Sequence, residues 1–123
     1  MAKPKKPPPA ILGALEFRLG AWGPIQVKRL FGGFALYRDG IIFGLVFRDQ
    51  VYFKTNLDNR PDYVDAGMPP FQYARPSGRI ISMSYYVVPP SVLEDLDELP
   101  RWADKALAVT LGHGLQSDIP EAE

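Results

Sequence analysis

Apolar positions first recur at helical spacing, with Ile11, Leu12, Leu15, Leu19 and Trp22 on one stripe and Glu16 and Arg18 left for solvent. The stripe predicts a helix that ends near Gly20 to Gly23. After Pro24 the period changes from helical to alternating: Ile25-Gln26-Val27-Lys28 pairs apolar with polar residues as a half-buried strand does. Phe34 to Arg38 and Ile41 to Arg48 flank Asp39-Gly40, a dipeptide that tolerates the positive φ angles of a tight hairpin. A second turn near Asp49-Gln50 leads into Val51-Tyr52-Phe53-Lys54, so consecutive strands form an antiparallel meander.

Asn56 to Asn59 interrupts this pattern. Asp58 or Asn59 can cap a short helix with Pro61 in its first turn, running to about Ala66 and stopping at Gly67. Phe71-Gln72-Tyr73 and Arg79 to Val88 resume strand character across the turn-rich Arg75-Pro76-Ser77-Gly78. In the second run Ile81, Met83, Tyr85 and Val87 share one face and Ser82, Ser84 and Tyr86 the other. The expectation is that helices pack on the first face and that the second is the more polar one. Ser91 to Glu94 has capping-box spacing and predicts a helix start. Pro100 opens a further helix carrying Trp102, Ala103, Ala106, Leu107 and Thr110, which Gly112 and Gly114 should stop. The predicted fold class is therefore α+β: an antiparallel sheet of about five to six strands, with N-terminal, short middle and C-terminal helices on one face.

Composition changes this picture little but narrows the chemistry. A chain of 123 residues, 46% hydrophobic, suits one domain with one real core. It contains no cysteine, which removes disulfides and thiolate chemistry and suits a reducing cytosol, so a cytoplasmic protein stabilised by packing is expected. Lys3, Lys5 and Lys6 precede Pro7, Pro8 and Pro9 where a secretory signal would turn apolar, so residues 1–9 read as a flexible Lys/Pro tail. Residues 113–123 read as an acidic tail, and 10–112 as the domain. No stretch approaches the roughly 20 apolar residues of a membrane span, and no membrane partner is expected.

Charge is uneven along the chain. The net charge is zero, yet residues 1–56 carry nine Lys or Arg against Glu16, Asp39 and Asp49, a net +6, and residues 57–123 carry the opposite −6. Such halves can form a basic nucleic-acid face or complementary surfaces for self-association. The blander expectation is that strands from both halves interleave and mix the charges in space.

Catalytic and metal patterns are weak. His113 is a lone histidine between Gly112 and Gly114, expected at a helix end without partners. Ser77, Ser82, Ser84, Ser91 and Ser117 sit in no nucleophile-elbow context. Asp58, Asp62 and Asp65 lack the spacing of an EF-hand loop and read as caps and solvated groups. Phe31-Gly32-Gly33-Phe34 lacks the pattern of a phosphate loop, and the glycine pair reads as a bulge or a close backbone approach where a Cβ would collide. No catalytic residue, cofactor, metal or small-molecule substrate is predicted. The binding candidates fall into two sets. Lys28, Arg29, Arg38, Arg48 and Lys54, interleaved with Tyr37 and Tyr52, could engage nucleic acid. Tyr86 on the more polar sheet face, with Arg29 or Arg79 adding charge, could anchor a protein partner or a second copy.

Two ordered segments carry a family resemblance. Val27-Lys28-Arg29-Leu30-Phe31-Gly32-Gly33-Phe34-Ala35-Leu36-Tyr37-Arg38-Asp39-Gly40 leads into Ile41 to Leu45 and Val51 to Lys54. Pro70-Phe71-Gln72-Tyr73 then precedes Ser82-Met83-Ser84-Tyr85-Tyr86-Val87-Val88-Pro89. Together they resemble the N-terminal domain of the TfoX/Sxy family of bacterial competence regulators over roughly residues 11–111. The resemblance implies a helix, an antiparallel sheet and further helices on one face, an arrangement similar to secretion-chaperone-like folds. It implies no catalytic residues. Better understood members carry a second, helical domain, which this chain is not expected to contain. The expectation is thus a stand-alone regulatory or adaptor domain that acts through a protein partner or as a homodimer, with direct nucleic-acid binding as the alternative and an enzyme as the weakest reading.

Overall fold

The computed structural model describes residues 10–30 and 32–113, so the two expected tails, apart from His113 at the end of the last helix, lie outside the described residues. The first helix, α1, spans Ala10–Arg18 and buries Leu12 and Leu15, with Leu19 following in the turn beyond it. Strands β1 (Gln26–Leu30), β2 (Gly33–Arg38), β3 (Ile41–Phe47) and β4 (Gln50–Lys54) form the meander. Helix α2 (Arg60–Asp65), strands β5 (Pro70–Ala74) and β6 (Ile80–Val87), the short α3 (Pro90–Leu93) and α4 (Glu98–His113) complete the order. The six strands make one antiparallel sheet in the order β1-β2-β3-β4-β6-β5, with β1 and β5 at its edges.

Local chemistry explains the turns. Asp39 (φ 52°) and Gly40 (φ 79°) both take the left-handed conformation that the twist of a two-residue hairpin demands. The β3–β4 turn does the same with Arg48 (φ 52°) and Asp49 (φ 64°), neither of which is glycine. Helix α2 has Asn59 at its N-cap position and ends where Gly67 turns to φ 76°, the Met68 amide donating to the Tyr63 carbonyl at 2.9 Å. The Asn59 side chain bonds upstream instead of capping: its Oδ1 accepts from the Asn56 amide at 2.8 Å and its Nδ2 donates to the Lys54 carbonyl at 3.1 Å.

Two expectations about the second half are corrected. Ser91 does not cap a helix, because Pro89 holds the N-cap position of α3 and leaves Ser91 inside it with no side-chain capping bond. The cap of α4 is Asp95, whose Oδ1 accepts from the amides of Asp97 (2.8 Å) and Glu98 (2.9 Å); these bonds hold its carboxyl below the usual aspartate range. Nor does Gly112 end α4, which continues to His113.

Two apolar clusters lie on opposite faces of the sheet. One joins all four helices to the sheet, through Leu12, Leu15, Tyr63, Val92, Leu99, Ala103 and Ala106 against Leu36, Phe43, Val46, Val51 and Phe53. The other is built from strands alone: Ala35, Ile42, Leu45, Phe71 and Tyr85, ringed by Leu30, Tyr37, Phe47, Tyr52, Tyr73 and Met83. A bulge at Phe43, opposite Leu36 and Tyr37, shifts the alternation of β3 so that Phe43 and Val46 both reach the helix side. Beside this bulge the Thr110 hydroxyl donates to the Ile42 carbonyl at 2.9 Å, tying α4 to the sheet.

The face assignment of β6 is the reverse of the expectation. Tyr86 packs into the helix-side core, while Met83 and Tyr85 belong to the strand-only cluster. That second face stays apolar because the sheet curls onto itself. Phe71 on β5 meets Phe47 on β3 at 5.5 Å between ring centroids and Tyr52 on β4 at 4.9 Å, although β6 and β4 separate β5 from β3 in strand order. The edge rings therefore fill the concave side that no helix covers.

Candidate interaction surface

The basic and aromatic residues singled out in the sequence divide between the two faces. Lys28, Tyr37, Tyr52 and Lys54 lie on the concave, helix-free side. There the Lys28 Nζ stands 5.0 Å from the centre of the Tyr37 ring and the Lys54 Nζ 5.6 Å from that of Tyr85. Arg48, in the β3–β4 turn, places its guanidinium 5.2 Å from the Phe47 ring centre. Burial pushes the Tyr52 phenol up, and the nearby Arg48 charge opposes the shift. Lys54 itself is only 3% exposed, so its charge is packed into the domain.

The other candidates sit elsewhere. Arg29 points to the helix side, with its guanidinium 5.2 Å from the Phe34 ring centre. Arg38 lies over the Trp22 indole at 4.4 Å and approaches the Asp39 carboxylate at 3.9 Å. Trp22 in turn meets the Phe43 ring edge-on at 5.1 Å and donates from Nε1 to the Asp104 carboxylate at 3.2 Å. Arg38 thus helps fasten the α1–β1 connection to the core. Arg79 is exposed at the far end of the β5–β6 hairpin. Tyr86 is not an exposed anchor: it is half-buried, 6.1 Å from the Tyr63 ring with Arg60 5.8 Å over it. Beneath it the Tyr63 hydroxyl is buried with no hydrogen-bond partner, and burial, with the Asp62 charge adding, pushes this phenol far above its usual range. Tyr63 is a packed ring that stays protonated, and the salt bridge from Asp62 to Lys105 at 3.0 Å closes over that region.

The charges of the described residues are uneven by element type. The strands and their hairpin turns carry Lys28, Arg29, Arg38, Arg48, Lys54, Arg75 and Arg79 against Asp39 and Asp49. The helices and the segments joining them carry Glu16, Asp58, Asp62, Asp65, Glu94, Asp95, Asp97, Glu98 and Asp104 against Arg18, Arg60, Arg101 and Lys105. Strands from the second half do interleave with those of the first, but β5, β6 and their turn contribute only arginines. The result is a net basic sheet layer and a net acidic helix layer, although the side chains of Arg29 and Arg38 project from the sheet to the helix side.

A family model for the TfoX N-terminal domain matches residues 18–110. The chain belongs to the TfoX N-terminal domain family. No curated protein matches it. The matched span covers the whole sheet, α2, α3 and most of α4, but of α1 only Arg18. Among the described residues no group of three or more His, Asp or Glu is placed to hold a metal ion, and no helix is long and apolar enough to cross a membrane.

A feature missed in the sequence is a groove between α1 and β1. It encloses about 590 Å3 and is lined by Ala10, Leu12, Gly13, Glu16, Val27, Arg29 and Phe34. Phe17, one turn beyond Gly13 on α1, is 80% exposed. The helical stripe drew attention to the leucines that α1 buries, and Gly13 on its other side carried no periodic signal.

Proposed function

We propose that this domain is a non-catalytic regulatory or adaptor module whose basic sheet layer recognises an acidic protein partner. The separation of charge into layers is the observation that carries this reading. A basic strand layer on a protein of zero net charge gives directional attraction to an acidic surface without general stickiness to polyanions. Exposed Lys28 and Arg29 on edge strand β1 make that strand the accessible part of the layer.

Direct nucleic-acid binding is the second reading, favoured by the cations lying over the Tyr37 and Phe47 rings. It is the weaker because Phe47 and Tyr52 already pack edge-on against Phe71, which leaves few faces for bases to stack on. Moreover, Arg29 and Arg38 point away from the concave side, so the cations do not follow one backbone track.

Light scattering coupled to size exclusion, at low and high salt and with a pool of short DNA and RNA, separates the readings. The expected result is no change of mass with nucleic acid. Affinity capture from the native host should instead return an acidic protein that is lost with Lys28→Glu/Arg29→Glu. A salt-sensitive mass shift with nucleic acid would replace the adaptor reading with the second one.

A further inference from the structure

We infer that the groove between α1 and β1 receives an extended segment of a partner protein, which adds to β1 as a further strand, drops an apolar side chain beside Gly13 and sets acidic side chains against Lys28 on the concave side. The inference rests on the adaptor reading and assigns it a site. Among the described residues β1 is an edge strand paired with β2 alone, and alternate peptide groups of an edge face away from its neighbour. Val27 and Arg29 project from β1 to the groove side and Lys28 to the concave side, so an added strand would meet the groove with every second side chain.

Gly13 is the observation that points to an occupant. Glycine inside a helix is unfavourable relative to alanine, and here neither packing nor backbone geometry requires it: an added Cβ meets no atom within 4 Å, and φ is not left-handed. The residue costs α1 stability and keeps the groove open.

Charge decides the kind of occupant. In a β1–β1 pairing between two copies, Lys28 and Arg29 of each would cluster against those of the other, which opposes such a dimer. Residues 1–9 repeat the same positive sign in Lys3, Lys5 and Lys6 and contain four prolines that lack an amide donor. An acidic strand meets neither obstacle. Among the described lining residues Glu16 alone is acidic, so the position entering the groove should be apolar and its neighbours, on the Lys28 side, acidic.

The test uses the full chain and a fluorescent seven-residue peptide alternating valine and glutamate, with a valine–lysine peptide as control, followed by anisotropy. The glutamate peptide should bind and the lysine peptide should not. Gly13→Leu, which fills the groove, should weaken binding at least about tenfold while leaving the thermal midpoint equal or higher. Lys28→Glu should reverse the preference between the two peptides, and N-methylation of alternate peptide amides should abolish binding. Equal binding of both peptides, or unchanged affinity with Gly13→Leu or with the N-methylated peptide, overturns the inference. A tenfold gain on removing residues 114–123 would instead assign the groove to the chain's own acidic end. A free dimer broken by Gly13→Leu would assign it to a second copy. If peptide binding fails while the captured acidic partner still depends on Lys28 and Arg29, the groove is wrong and the adaptor reading stands. If that capture fails as well, both fall.

Discussion

Gly32 and Gly33 lie side by side at the start of β2, yet the structure requires each to be glycine for a different reason, and alanine substitutions should separate the two. At Gly33 a Cβ would stand 2.5 Å from the Val46 carbonyl oxygen and 3.0 Å from Phe47 Cδ1. The obstructing atoms include the backbone of the neighbouring strand, so relief requires moving β2 away from β3 in the middle of the meander. Overpacking of this kind costs about 1–3 kcal/mol, and a rigid backbone obstacle places Gly33→Ala at the upper end. At Gly32 a Cβ meets nothing within 4 Å, but φ is 78°. The left-handed conformation there costs a non-glycine residue about 1–2 kcal/mol. A partial offset of about 0.4–1 kcal/mol comes from the reduced freedom of the unfolded chain. Gly32→Ala should therefore destabilise by about 1 kcal/mol and Gly33→Ala by about 3 kcal/mol. Urea denaturation with an unchanged m value measures both, and in thermal unfolding of a 123-residue chain 1 kcal/mol corresponds to a midpoint shift of about 4 °C. Equal losses for the two variants, or a larger loss for Gly32→Ala, would refute the argument from backbone approach.

Two further predictions follow from local geometry. Asp49→Gly should stabilise by about 1 kcal/mol, because it relieves the φ of 64° in the β3–β4 turn, and a midpoint that fails to rise would show the turn to be unstrained. Asp95 has a lowered pKa in the fold, so its contribution is present above the ordinary aspartate value and is lost as pH falls through the lower, folded one. Asp95→Asn, which can still accept the two amide bonds, should therefore lose less stability than the wild type between pH 6 and acid below about pH 4, as read by urea denaturation at each pH. An unchanged acid loss would count against Asp95 as its source.

Much of the fold was legible because its strongest signals are local. Asp39-Gly40 specifies its turn through backbone geometry, and Pro61 with Gly67 brackets α2. What failed required knowledge of contacts distant in sequence. Alternation along β6 separates Tyr86 from Tyr85 but does not say which face the helices cover, and Phe71 reaching Phe47 across a curled sheet leaves both faces apolar. Ser91 has the spacing of a capping box, but Pro89 and Pro90 set the start of α3, and Asp95 takes the capping role one segment later. Counting charge along the chain gave two halves, whereas the structure sorts it by element type. The fold brings the basic–aromatic set together only in part: Lys28, Tyr37, Tyr52 and Lys54 share a face, but Arg29 and Arg38 lie on the other.

The layering of charge also means that the domain formed by the described residues, with eleven basic against eleven acidic groups, has no net charge but an electric dipole. In a non-uniform field, as beside a charged filament or membrane, it experiences a torque as well as a weak net force, so it arrives already oriented with one layer leading. Near its isoelectric point, about 6.6, repulsion between like molecules is at its weakest and the sheet of one copy can face the helices of the next. Any such head-to-tail contact would vanish as added salt shortens the reach of the field to about 10 Å at 0.1 M.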